Sequence, residues 1–218
     1  MFDLSFLHHG ERLKMYKHFL KRVIDLILSF IGIIITAVPM LIIAIIVKID
    51  SKGPAVFKID RVGKDKKPFK FYKFRTMRID APKDCAPRLL DGDYHTRVGK
   101  FLRRSSLDEL PQLFCIFKGD MSIVGPRPAG FSEEDLINAR DKHNVHSIKP
   151  GLTGWAQING RSELAKDVEK KAEFDGEYVK KMGFFFDMRC FFGTIIPVLR
   201  GDGVDDRKSK KIKKQNKE

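Results

Sequence analysis

The feature that most constrains this chain is the run from Val23 to Val47, in which Asp25 is the only charged residue and no further charge appears until Lys48. As a straight helix its uncharged part, Leu26 to Val47, would reach roughly 33 Å at about 1.5 Å per residue, close to the hydrocarbon thickness of a bilayer. The run lies well inside the chain, is longer than a typical secretory h-region and lacks a clean small-residue cleavage site. It reads as a membrane segment.

Two features favour a segment that enters and leaves by the same face. Lys14, Lys17, Lys21 and Arg22 precede it and Lys48, Lys52, Lys58 and Arg61 follow it, whereas a single span carries its basic excess on the cytoplasmic side. Pro39 removes a backbone donor and clashes with the preceding turn, which kinks a helix. Thr36, one turn earlier, and the small Ala37 are placed to re-satisfy the freed backbone groups. The expectation is a re-entrant helix-break-helix with both ends cytoplasmic, broken at Thr36 and Pro39; a plain span is the alternative.

The 218 residues carry a formal charge of +14, which calls for an anionic partner: a nucleic acid, an anionic membrane surface or a phosphorylated small molecule. Three cysteines without Cys-x-x-Cys spacing argue against a disulfide framework and a zinc site. The six histidines form no ligand-like pair.

Beyond the apolar run, Ser51 to Pro54 signals a turn. Ala55 to Ile59 and Phe69 to Phe74 then read as short strands joined across Gly63-Lys64-Asp65 into a hairpin. Lys70, Lys73, Arg75 and Arg78 concentrate positive charge at its end. Lysine alternating with Phe and Tyr suits a single-stranded nucleic-acid surface, and equally a half-buried strand with one solvated face. Residues 79–96 read as an irregular connection. Leu110, Leu113, Phe114 and Phe117 fall at helical spacing before Lys118-Gly119, with Pro111 suited to the first helical position.

Between these lies Arg103 to Leu113, RRSSLDELPQL. The adjacent carboxylates Asp108 and Glu109 follow two arginines, which reads as a reaction centre. Ser106-Leu107-Asp108-Glu109 also fits the capping box, in which serine and glutamate satisfy backbone donors at a helix start. A start at Pro111 would deprive the box of its geometry. Downstream, Gly125 and the prolines Pro126 and Pro128 impose a stiff bend that fixes Arg127, a natural fork for phosphate. Residues 133–142 read as an exposed charged helix, 162–181 as mostly helical, and 183–199, with five phenylalanines interrupted by Asp187 and Arg189, as an interfacial amphipathic helix. The lysine cluster at 207–217 resembles polybasic segments that bind anionic lipids. The fold class is α+β and mainly helical, in three parts: a membrane-associated segment (1–50), a catalytic domain with interfacial helices (51–200) and a basic tail (201–218).

A carboxylate can attack phosphorus, a second can share Mg2+ with substrate phosphates, and arginines can offset the charge that builds on the transferred group. These residues alone point to a membrane-bound enzyme handling a phosphorylated substrate. A glycosidase needs carboxyl groups on opposite sides of a sugar, which adjacent residues serve poorly. The rival outside enzymology is a membrane-tethered protein that binds nucleic acid or anionic lipid.

YKFRTM (Tyr72 to Met77), RRSSLDELPQL (Arg103 to Leu113), KGDMSIVGPRP (Lys118 to Pro128) and KPGLTGWAQINGR (Lys149 to Arg161) together resemble the bacterial sugar transferases, the small monotopic phosphoglycosyl transferases. The resemblance implies transfer of sugar-1-phosphate from a UDP-sugar to polyprenyl phosphate, usually undecaprenyl phosphate, on the cytoplasmic face of the inner membrane, without nucleic acid. By match, Asp108 is the nucleophile and Glu109 its helper, and the pair is the expected Mg2+ site. Arg103, Pro126 and Arg127 match positions near the substrate phosphates. Arg161 is a candidate for the nucleotide, with Lys73 and Arg75 beside it. The family breaks its re-entrant helix at a Ser-Pro pair; this chain has Val38-Pro39, so Thr36 would replace the missing hydroxyl. Which sugar is used, and whether the chain acts as a homodimer, is not marked by any motif.

Overall fold

The computed structural model describes residues 15–81, 94–160 and 167–199. After a π-helical turn, Tyr16–Leu20, the apolar run forms α1, Lys21–Asp50, which contains Pro39. Among the described residues α1 is the one helix long and apolar enough to cross a membrane. Thr36 Oγ1 donates to Gly32 O at 2.6 Å. The break expected at Thr36 and Pro39 is not formed as an interruption: the helix continues across Pro39, since a proline removes one backbone bond and the flanking turns carry the helix past it.

α1 lies against the rest of the protein along one narrow stripe. Asp25, Ser29, Ile43 and Val47 are buried on it, and Gly32, Thr36, Met40 and Ala44 half-buried, at spacings of three and four residues that keep them on one face. Ile34, Ile35, Val38, Leu41, Ile45 and Ile49 are bare. Both ends of the helix are held by the polar body. At the start, Arg22 donates to Ile116 O at 2.6 Å and Phe117 O at 2.8 Å, and Asp25 Oδ1 accepts from Ile123 N at 2.9 Å. At the end, the Arg75 guanidinium donates to Ser51 O at 2.5 Å, Ser51 Oγ at 2.8 Å, Lys52 O at 2.9 Å and Val47 O at 3.4 Å. These carbonyls lie where a helix C-terminus leaves acceptors without intrahelical partners.

The expected hairpin is present: β1, Val56–Val62, pairs antiparallel with β2, Pro68–Phe74, around a 3-10 turn at Lys64–Lys66. The pleat turns Phe69 and Phe71 into the core and leaves Lys58, Asp60 and Lys70 exposed. α2, Arg97–Ser105, is capped by Thr96, whose side chain accepts from Gly99 N. A 3-10 turn at Leu107–Glu109 leads into α3, Gln112–Lys118, with Pro111 just before it. Leu107 and Leu110 pack against the cluster formed by Ile43, Val47, Phe74 and Leu102, a core that the turn shares with the second half of α1.

A second sheet has two short parallel strands, β3, Ser122–Val124, and β4, Gly151–Thr153. Gly125 and Gly151 meet backbone to backbone. Gly125 N donates to Thr153 O at 2.7 Å and Gly151 N to Pro126 O at 2.9 Å, and a Cβ on Gly151 would stand 2.1 Å from Gly125 N. Glycine is obligatory where two backbones approach this closely.

α4, Glu134–Asp141, α5, Trp155–Ile158, α6, Val168–Lys181, and α7, Phe184–Leu199, complete the body. α4 is less exposed than its composition suggests: Leu136, Ala139 and Arg140 are buried, and Arg140 makes two bonds to Asp175 Oδ2 at 2.9 and 2.6 Å. α7 divides its aromatics, packing Phe186 and Phe191 on the core while Phe184, Phe185 and Phe192 are exposed. Asp187, which breaks the apolar pattern in the sequence, is a buried junction. It accepts from Tyr16 at 2.6 Å, from Tyr178 at 2.7 Å and from Lys21, joining the start of α1 to α6 and α7.

Candidate active site

The Asp108–Glu109 pair occupies the 3-10 turn between α2 and α3. Ser106 enters that turn in the left-handed region, φ 58°, and makes no side-chain cap bond. The capping box is therefore not formed: the turn precedes the helix by three residues, and Glu109 is turned to another partner. Leu107 and Leu110 pack on the Ile43–Val47–Phe74–Leu102 cluster, and Asp108 between them is 7% exposed.

Three cations surround it. Lys73 extends from β2, where it pairs across the hairpin with Phe57 and lies 5.6 Å from that ring's centroid. Arg127 follows β3 in the bend made by Gly125, Pro126 and Pro128, the two prolines buried, and donates to Glu109 Oε1 at 2.7 Å. Arg103, in the last turn of α2, donates through Nη1 to His95 Nε2 at 2.7 Å. The electrostatics reflect this packing. Burial, then the neighbouring Glu109, pushes the Asp108 carboxyl up to about 6, against the pull of Lys73, Arg127 and Arg103 in that order. Burial draws the Lys73 ammonium down to about 8, with Asp108 opposing. Glu109 raises the basicity of Arg127 further.

Among the described residues, no hydrogen-bond or ion-pair partner engages the Asp108 carboxylate. It is a buried carboxylate acted on by Lys73, Arg127, Arg103 and Glu109, and perturbed carboxyls of this kind cluster at functional sites. Glu109 is held by Arg127 at one oxygen. No group of three or more His, Cys, Asp or Glu side chains able to hold a metal occurs among the described residues. The adjacent pair fits the alternative requirement of Mg2+, one or two carboxylates completed by substrate phosphates and water.

The structure thus brings together Asp108, Glu109, Arg103, Pro126, Arg127 and Lys73. It does not bring Arg75, whose guanidinium is committed to the end of α1; alternation along β2 fails there because the strand ends at Phe74. Arg161 lies outside the described residues. No motif marked His95: it stands just before the cap of α2, and Arg103, two turns along the helix, comes round to the same face and reaches back to it. Gly151 and Gly154 of the fourth motif, grouped with Arg161 by sequence, pack on the Gly125 backbone beside Arg127.

Residues 16–201 match the family described as bacterial sugar transferase. The chain is 38% identical over 182 residues to "UDP-glucose:undecaprenyl-phosphate glucose-1-phosphate transferase" of Escherichia coli (strain K12), covering 81% of this chain and 39% of that protein. It is 38% identical over 190 residues to "UDP-N-acetylgalactosamine-undecaprenyl-phosphate N-acetylgalactosaminephosphotransferase" of Aeromonas hydrophila, covering 85% and 45%. With "Exopolysaccharide production protein PSS" of Rhizobium leguminosarum bv. phaseoli it shares 37% identity over 197 residues, 84% of this chain and 98% of that protein. The chain spans less than half the length of the first two. With the match running from the turn before α1 to the end of α7, and so through every element that builds the site, the chain belongs to the bacterial sugar transferase family.

Proposed function

We propose that this protein transfers sugar-1-phosphate from a UDP-sugar to polyprenyl phosphate at the cytoplasmic face of the inner membrane. The observation that carries the proposal is Asp108: a buried carboxylate with no bonded partner among the described residues, amid Lys73, Arg103 and Arg127. Its oxygen attacks the β-phosphorus of the UDP-sugar. The bond to the bridging oxygen breaks and UMP leaves with that oxygen and its electron pair. The acyl phosphate so formed on Asp108 is attacked by the phosphate oxygen of the lipid, which releases the carboxylate and yields the lipid diphosphate sugar. Arg103, Arg127 and Lys73 oppose the charge that builds on the phosphoryl oxygens. Glu109 is held by Arg127 until substrate competes for that arginine. Asp108 and Glu109 would hold Mg2+, which would neutralise diphosphate charge when bound.

The membrane reading rests on α1. A straight helix of this length would extend roughly 45 Å, yet both its ends are bonded to one polar body. That supports a re-entrant segment over a span whose far end stands clear of the domain, with Pro39 among the bare residues on its outer surface. The core that Leu107 and Leu110 share with Ile43 and Val47 of α1 then sets the site beside the membrane segment, within reach of a soluble nucleotide sugar and a lipid phosphate. The polarity of the diphosphate substrates and the relatives' names, undecaprenyl-phosphate transferases, support this over a nucleic-acid or lipid-binding role.

The test is UMP release from a panel of UDP-sugars with Mg2+ and polyprenyl phosphate, with mass spectrometry for a phosphosugar adduct on Asp108. Product formation by Asp108→Asn would exclude the nucleophile assignment.

A further inference from the structure

Arg103 and Arg127 are held in different ways. Arg127 is bonded to a carboxylate, Glu109. Arg103 has no carboxylate within ion-pair distance among the described residues; its recorded partner is the imidazole of His95, at 2.7 Å. A guanidinium has donors only, so His95 Nε2 must be the acceptor, and the neutral ring then carries its proton on Nδ1. The backbone that carries the ring is itself anchored. His95 bridges Met77 in an isolated antiparallel pair, Arg78 N donates to Tyr94 O at 2.9 Å, and Thr96 N donates to Thr76 O at 3.1 Å. Gly99 fits so tightly on Thr76 that a Cβ there would lie 2.0 Å from the Thr76 carbonyl oxygen.

We infer that His95 is a positioning residue that tethers the Arg103 guanidinium beside Asp108 and Lys73 without cancelling its charge. A carboxylate in the same place would neutralise the arginine and compete with the substrate diphosphate; a neutral acceptor fixes one Nη and leaves the other donors and the full charge for phosphate. The tether lowers the ordering cost of the arginine on binding, so its loss falls on substrate affinity.

This rests on the transfer reaction proposed above, and the tests separate the two. His95→Leu removes the acceptor; KM for the UDP-sugar rises about three- to ten-fold with kcat within about two-fold, the scale of one immobilised side chain. His95→Gln, which retains an acceptor oxygen, restores KM. Independently of turnover, 15N correlation spectra of the wild-type chain show the His95 ring as the Nδ1–H tautomer, the signals being assigned by their loss in His95→Gln, and Arg103→Gln abolishes that preference. A wild-type chain without activity on any UDP-sugar would defeat the functional reading and leave the tautomer measurement standing. An Nε2–H tautomer, unchanged KM in His95→Leu, or equal impairment of the Leu and Gln variants would overturn the tether.

Discussion

Replacing Asp108 by Asn is expected to abolish transfer and to stabilise the protein. The Asp108 carboxyl has an ordinary value of 3.8 and is raised to about 6 in the folded chain. A group raised on folding contributes stability that is fully present below its unfolded value and lost as pH climbs through the folded one. At ~1.36 kcal/mol per tenfold change in the protonation equilibrium, the ionised carboxylate costs the native state about 1 kcal/mol at pH 4.5 and about 3 kcal/mol at pH 8. Asparagine keeps the shape and stays neutral. It recovers most of that difference, less the cost of an amide with imperfect partners. For a chain of this size about 3 kcal/mol corresponds to a rise in Tm of roughly 6–12 °C. Paired melts of wild type and Asp108→Asn, followed through the single Trp155 in detergent with a chelator present, read the difference directly. The gain should grow between pH 4.5 and pH 8. A variant no more stable than wild type at pH 8, or a gain independent of pH, would refute the claim that burial strains this carboxylate.

Lys73→Met removes the cation that acts most strongly on Asp108, so the pH at which UMP release falls off on the acid side should move upward, with Lys73→Arg restoring it; an unmoved acid limb would exclude the influence. Gly151→Ala forces a methyl against Gly125 N, and should cost ~3 kcal/mol or more, read as a collapse of Tm and soluble yield. Asp187→Leu strands the Lys21 ammonium and the hydroxyls of Tyr16 and Tyr178, with an expected loss of about 3–5 kcal/mol; a fall in Tm of only a degree or two would show the junction to be dispensable.

The α1 run and the β1–β2 hairpin were legible because each is a local pattern: uninterrupted apolar residues in one, alternation in the other. Asp108, Glu109 and Arg127 were legible as motifs. What each motif does was less so. Ser106 and Glu109 have the spelling of a capping box, but a box needs a helix starting at the serine, and Pro111 defers the start. The parallel pair β3–β4 was not legible because three-residue strands have no period and their paired residues lie 29 apart in the chain. Arg75 stood as a candidate for the nucleotide because nothing local shows that the end of α1 returns to it.

Sequence by itself determined the apolar helix, the basic surface and the carboxylate pair, since hydrophobicity, charge and reactive chemistry belong to the residues themselves. Only the tertiary structure decided which charges matter. It assigned Arg75 to a helix end, Asp187 to a buried junction, Lys73 to the Asp108 carboxylate and His95 to Arg103. Distance and desolvation set the strength of a charge, and both are created by packing segments that lie far apart along the chain.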